Sequence, residues 1–162
     1  SRIVPGIKWT NDLVCGRKKL GGILTELSLE PNGNVRYAVV GIGINCTQQT
    51  EDFPEDIRHI ATSLAMVTGQ RVSRSTVAVE MIRALEQMSR DLLPQQTSIM
   101  DAYRKHCITV GQEISINNGD TVRHGIAESI CDDGGLIVRF PDGHAEVIGA
   151  GEVSIRGMYG YI

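Results

Sequence analysis

The chain has 162 residues, 41% of them apolar and 22% charged, with a net charge of −3. That length supports one good core, or a modest domain beside a small one. A near-neutral balance argues against general nucleic-acid binding, and no run of about eighteen apolar residues offers a transmembrane helix.

Residues 1–6 hold no charged stretch followed by an apolar run, so no signal peptide is expected. Residues 7–9 read as a short strand. It begins abruptly, with neither cap nor tail before it, so an upstream part is expected to be missing. Asn11-Asp12 reads as a turn pair and Gly16 as a second turn. From 22 to 29, Ile23, Thr25, Leu27 and Leu29 alternate with Leu24, Glu26 and Ser28, which predicts a strand. Pro31-Asn32-Gly33-Asn34 predicts a hairpin turn, and 35–45 the returning strand. The centre of that strand is apolar on both faces, which predicts a central strand covered on both sides. Gly41 and Gly43 lie two apart, hence on one face, and make a strip without side chains where a ligand can lie against backbone.

Residues 47–54 read as a polar loop. Ile57, Ile60, Ala61, Leu64 and Val67 recur at helical spacing before Gly69, a natural C-cap. Residues 77–92 carry the clearest amphipathic pattern, with Ser73 or Ser75 to cap the start and Pro94 to end it; their methionines read as core filling. A shorter helix is predicted over 98–107, with Ile99, Ala102, Tyr103 and His106 on one face. After Thr109 the texture changes. Short strands at 110–116, 122–130, 136–140, 145–148 and 153–156 alternate with Gly-containing turns, which predicts a small antiparallel barrel. The expected domains are therefore 1–107 and 108–162.

The four cysteines are far apart and form no C-x-x-C pair, which favours free thiols in a reducing cytosol over a zinc site. His106 beside Cys107 raises a catalytic-cysteine alternative, but neighbours in a helix do not face one another. His59, His106, His124 and His144 show no ligand spacing, so no metal-ligating residue is assigned. Glu26 reads as a solvent-facing strand carboxylate. Arg17, Lys18 and Lys19 are either a solvated turn or the cations of an anion site. Their place before Gly21-Gly22 favours the second, because a lysine beside bare amides neutralises phosphate or carboxylate. Asn11 and Asp12 are either a turn or the contacts of a polar head group or of a metal ion's water shell, and Asn45 either ends the glycine strand at a ligand or begins the loop. Gly41-x-Gly43 is not a dinucleotide fingerprint, and no phosphate loop is present. Residues alone reach a small-anion or nucleotide site on a sheet, next to a small barrel.

Lys-Trp-Thr-Asn-Asp-Leu, then Gly-Arg-Lys-Lys-Leu-Gly-Gly-Ile-Leu-Thr-Glu, then Val-Val-Gly-Ile-Gly-Ile-Asn resemble the ordered motifs of the biotin protein ligases. The usual forms there are K-W-P-N-D-L, G-[RK]-K-[LI]-[AG]-G-I-L-x-E and G-x-G-[IL]-N. The resemblance implies an α+β fold, a mixed or antiparallel sheet with helices of the biotin/lipoate ligase kind, followed by an SH3-like barrel. It implies ATP-dependent formation of biotinyl-5′-AMP and transfer of biotin to a lysine of a biotin carboxyl carrier protein, with Mg2+ assisting. Lys19 and Asp12 match the catalytic residues. Lys19, Gly21, Gly22, Ile23, Gly41 and Gly43 match the biotin contacts. Lys8, Asn11, Asn45 and Arg156 match the nucleotide contacts.

Two departures accompany the match. Thr10 stands where the family usually has Pro. The glycine–arginine-rich loop that precedes these motifs is absent, which implies a C-terminal part with little or no activity alone and an exposed edge or apolar face where the missing N-terminal part docks. Homodimerisation is a family option, and DNA binding is expected only with an additional N-terminal domain. A cytoplasmic location without membrane contact is expected. The alternatives are a lipoate ligase or octanoyltransferase of the same fold, or a non-catalytic biotin- or nucleotide-binding subunit.

Overall fold

A computed structural model of the chain describes residues 3–91, 96–118, 121–149 and 154–157, with the backbone alone for 91, 96, 97 and 154–157. The first sheet has four antiparallel strands in sequence order: β1 (Gly6–Lys8), β2 (Asp12–Cys15), β3 (Lys18–Leu29) and β4 (Val35–Ile44). Gly16 and Arg17 turn β2 into β3 with φ of 56° and 64°. Positive φ at both centres of a two-residue loop suits the twist of a hairpin. β3 begins four residues before the predicted start, so Lys18 and Lys19 sit within the strand rather than in a turn. The register between β2 and β3 shifts where Leu13 faces Gly21 and Val14 faces Lys19, leaving Leu20 as the extra residue of a bulge. Leu20 is buried there.

The β3–β4 turn is the one predicted. Gly33 adopts φ 86°, and the Asn34 amide donates to Asn32 Oδ1 at 3.0 Å. The expectation that the second strand of this hairpin is central and covered is corrected. β4 is the edge of the sheet, and Leu24, Leu27, Leu29, Val35, Tyr37, Val39 and Val40 along the hairpin are exposed. The apolar residues on both faces of β4 mark two surfaces that the described chain leaves open to solvent.

The helix predicted from 57 onward is also corrected. Residues 55–60 form turns, Ala61 makes an isolated bridge with Lys19, and the helix proper is the short α1 (Leu64–Thr68). Backbone pairing with β3 overrides helical spacing at Ile60 and Ala61. Ser63 caps α1 through the Met66 amide (3.1 Å), and Gly69 closes it at φ 67°. α2 (Arg74–Asp91) starts at the predicted cap, where Ser73 Oγ accepts from the Thr76 amide (3.3 Å). Pro94 lies outside the described residues. The methionines of α2 are not core: Met81 is half-buried, Met88 exposed, and no described side chain of the helix is buried. α2 thus carries an amphipathic stripe that no core of described residues underlies.

α3 (Gln96–His106) leads to the second sheet, five antiparallel strands in the order β8-β7-β6-β5-β9: β5 (Glu113–Asn118), β6 (Thr121–Ile130), β7 (Leu136–Arg139), β8 (Ala145–Ile148) and β9 (Ser154–Gly157). This is the SH3-like unit. Its core holds Ile114, Ile116, Ala127, Leu136, Val138 and Ile148, and also Trp9 and Cys107. Trp9 is therefore not a site residue. Its indole donates to the Gly134 carbonyl (2.9 Å) and its amide to Thr109 Oγ1 (2.9 Å). Beside it the Ile108 amide donates to the Ile7 carbonyl (2.8 Å) and the Tyr103 hydroxyl to the Thr10 carbonyl (2.9 Å). Burial, and then proximity to Cys107, push the Tyr103 phenol well above its ordinary range, so it acts as a fixed donor. These bonds tie the first strands to the second sheet. Cys107 is buried, all four cysteines are free thiols, and the four histidines are exposed. No helix among the described residues is long and apolar enough to cross a membrane.

Candidate functional site

The antiparallel register places Asp12 opposite Gly22. Lys19 reaches across the same glycine, and its Nζ lies 2.6 Å from Asp12 Oδ1, with the two side chains 42% and 20% exposed. A Cβ on Gly22 would stand 3.0 Å from that Oδ1 and 3.6 Å from Lys19 Cε, so a glycine leaves the space the ion pair occupies. A Cβ on Gly21 would collide with the Gly43 carbonyl oxygen across the β3–β4 pairing. Gly41 and Gly43 differ. The nearest atoms to a Cβ there are backbone oxygens at 3.8 and 3.9 Å. Packing within the chain explains the first pair of glycines but not the second, whose bare surface is open to a ligand.

Two hollows meet at this strip. One, of about 600 Å³, is lined by Lys19, Gly21, Gly22, Gly43, Ile44 and Asn45 on one side and by Phe53, Ile57, Ile60 and Ala61 on the other. The second, of about 480 Å³, is lined by Asn11, Asp12, Lys19, Gly22, Ile23, Leu24, Gly41, Ile42 and Gly43. Lys19, Gly22 and Gly43 belong to both. A cation therefore stands where an apolar slot meets a polar, glycine-floored one. That arrangement suits a ligand with an apolar body and an anionic junction.

The other expected residues fall around this centre. Asn11 holds the turn to β3: its Nδ2 donates to the Ile23 carbonyl, and the Ile23 amide returns a bond to the Asn11 carbonyl (2.9 Å). Asn45 Nδ2 donates to the Thr62 carbonyl at 3.0 Å. Lys8 is buried and pairs in register with Asp12, but lines neither hollow. Arg156 lies on β9 opposite Ser115, and its side chain lies outside the described residues. Phe53 was not singled out from the sequence, and Ile57, Ile60 and Ala61 were read as helix-spaced residues rather than as a wall of the site. The signal available was a set of apolar residues inside and just after a polar loop. A third hollow, of about 410 Å³, lies on the second sheet between Glu113, His124, Gly125, Ile126, Arg139, Phe140 and Pro141, and shares no residue with the first two.

Residues 1–45 match the model of the biotin/lipoate A/B protein ligase family, and residues 109–156 match that of the biotin protein ligase C-terminal domain. The chain is 32% identical over 145 residues to the bifunctional ligase/repressor BirA of Bacillus spizizenii, covering 89% of this chain and 44% of that protein. It is 31% identical over 150 residues to the biotin–[acetyl-CoA-carboxylase] ligase of Mycobacterium tuberculosis, covering 91% of this chain and 52% of that protein. Among solved structures, the biotin protein ligase of Aquifex aeolicus in complex with biotin and ATP superposes with a TM-score of 0.79 at 26% identity, over 96% of this chain and 63% of that one. The chain spans about half the length of the curated relatives it matches.

Proposed function

The chain belongs to the biotin protein ligase family, and we propose that it carries one side of a site that joins biotin to ATP and passes biotin to a carrier lysine. The observation that carries this reading is the Lys19–Asp12 pair set over Gly22, where the two hollows meet. In the first step an oxygen of the biotin carboxylate attacks the α-phosphorus of ATP. The bond to the bridging oxygen breaks and pyrophosphate leaves with the electron pair. Both reactants are anions, so the reaction needs a cation held at their junction. Lys19 is that cation, and Gly21, Gly22, Ile23, Gly41 and Gly43 form the floor and wall for biotin. In the second step the carrier's lysine amine attacks the carbonyl of biotinyl-5′-AMP, AMP leaves, and the amine loses a proton. Asp12, at the same junction, is placed to receive it.

Lys8 and Asn11 are assigned to the nucleotide end, and Arg156 to a reach from the second sheet; Asn45, which the resemblance also sets there, gives its side-chain donor to the Thr62 carbonyl instead. Asp12 lines the second hollow and is the acidic residue in the lining of the two. Asp12 would be the carboxylate that helps hold Mg2+, an ion that is commonly bound through one or two carboxylates plus substrate phosphates. Bound there, Mg2+ would neutralise phosphate charge. The match over 109–156 to the biotin ligase C-terminal domain favours biotin over lipoate. The division at 107/108, a cytoplasmic location and a carboxyl-carrier partner belong to this same reading.

The exposed hairpin and α2 stripe fit a protein that needs further polypeptide over β4. A carrier domain, biotin, ATP and Mg2+ supplied with and without the N-terminal half of a relative test the proposal. Carrier biotinylation that rises when that half is added supports it. Transfer of lipoate in preference to biotin would refute it.

A further inference from the structure

β4 ends at Ile44, and the place it leaves beside Lys19 is taken by residues 60–62. The Lys19 amide donates to the Ile60 carbonyl (2.7 Å), and the Thr62 amide donates to the Lys19 carbonyl (2.9 Å). One further residue braces this short parallel patch. Asn45 gives its own amide to the Leu20 carbonyl (2.9 Å), accepts from the Leu64 amide (2.9 Å), and donates Nδ2 to the Thr62 carbonyl (3.0 Å). The last bond is the one its side chain supplies, and it reaches the carbonyl of the residue whose amide clamps Lys19. Ser63, fully buried, adds a bond from Oγ to the Gln48 carbonyl (2.7 Å) and closes the base of the loop that walls the larger hollow.

We propose that Asn45 is a positioning residue for Lys19: by holding the Thr62 main chain beside β3, its side chain fixes the main chain from which the ammonium is presented. A lysine side chain is long and flexible, so where its root sits decides where the charge can be held. What Lys19 then does rests on the ligase reading, whereas the clamp itself does not. The role is distinct from nucleotide contact, which the sequence resemblance implies for Asn45.

Asn45→Asp removes the donor at nearly constant size. Amide hydrogen exchange on the full chain reads the clamp, and pyrophosphate release from biotin and ATP reads its consequence, with the N-terminal half of a relative present. The expected result is exchange at the Lys19 and Thr62 amides about tenfold faster, in keeping with a lost part-buried hydrogen bond, with β6 and β7 unchanged. The turnover rate falls about tenfold while the KM for ATP stays constant. Unchanged exchange at both amides overturns the proposal. So does a raised KM for ATP at constant turnover, which marks a direct nucleotide contact. If the unmodified chain releases no pyrophosphate, the ligase reading fails there and the exchange arm alone decides the clamp. If Asn45→Asp does not fold, Asn45→Ser, which also cannot reach Thr62, takes the same two measurements.

Discussion

The glycines of the candidate site make a paired prediction. In Gly21→Ala the new methyl lands on the Gly43 carbonyl oxygen, with Ile44 Cδ1 at 3.1 Å and the Gly43 carbonyl carbon at 3.2 Å. Two of these three contacts are backbone, so relief requires β3 and β4 to part locally. Overpacking of this kind costs about 1–3 kcal/mol. In Gly43→Ala the nearest atom is the Gly22 carbonyl oxygen at 3.9 Å. No clash arises, and alanine in place of a strand glycine is worth roughly 0.5–1 kcal/mol in the favourable direction. That methyl nevertheless projects into the strip shared by both hollows. Urea unfolding should place Gly21→Ala below the parent chain and Gly43→Ala level with it or above. Calorimetric titration with a biotinyl-adenylate analogue should show affinity reduced at least tenfold for Gly43→Ala, about 1.4 kcal/mol. A Gly43→Ala protein that is stable and binds normally would show that the bare strip serves no ligand. A Gly43→Ala protein as unstable as Gly21→Ala would refute the packing argument.

Other consequences are independent of ligand. Trp9→Phe removes the bond to the Gly134 carbonyl and part of the shared core; denaturation should show a loss of about 1–2 kcal/mol. The His144 imidazole has its pKa raised, chiefly by its hydrogen bond to Asp142 and further by Glu146, although partial desolvation opposes this. Its folded value then exceeds its unfolded one, so the contribution to stability is full below about pH 6.5, the ordinary histidine value, and is lost as pH rises through the folded value. A proton NMR titration should place its midpoint above that ordinary value, and Asp142→Asn should bring it back down. Arg104 fastens α3 to the second sheet through the Ile130 carbonyl (2.9 Å) and Asp132. Arg104→Ala should speed amide exchange in α3 while leaving β3 unchanged.

Local signals were legible where local rules decide. Gly33 and Gly143 adopt the positive φ their turns require, β7 and β8 fall on the predicted segments, and Ser73 caps α2. Non-local features were not. β2 is four residues long, too short for a period to show, and it sits in a stretch rich in turn residues. Ile57, Ile60 and Ala61 are spaced like a helix, yet the backbone at 60–62 is claimed by Lys19 from far away in sequence. Trp9 sits inside the anion-site motif but packs in the core of the second sheet, a contact that only the fold can specify. The site itself was half legible. Lys19, Asp12 and the glycines converge, whereas the apolar wall from Phe53 to Ala61 comes from a loop whose polar neighbours hide it. The apolar texture of β4 was read correctly, but its covering was not, because apolarity records what a surface needs rather than what lies on it.

The central claim is that Lys19, at the junction of the two hollows, receives the carboxyl–phosphate link between biotin and adenosine. Its most direct test is amide chemical-shift mapping of the chain during titration with a non-hydrolysable biotinyl-adenylate analogue. The account predicts saturable shifts at Lys19, Gly22, Gly43 and Asn45, and affinity at least tenfold weaker in Lys19→Ala. Shifts confined to Glu113, His124 and Gly125 on the second sheet, or equal affinity without the Lys19 ammonium, would contradict it.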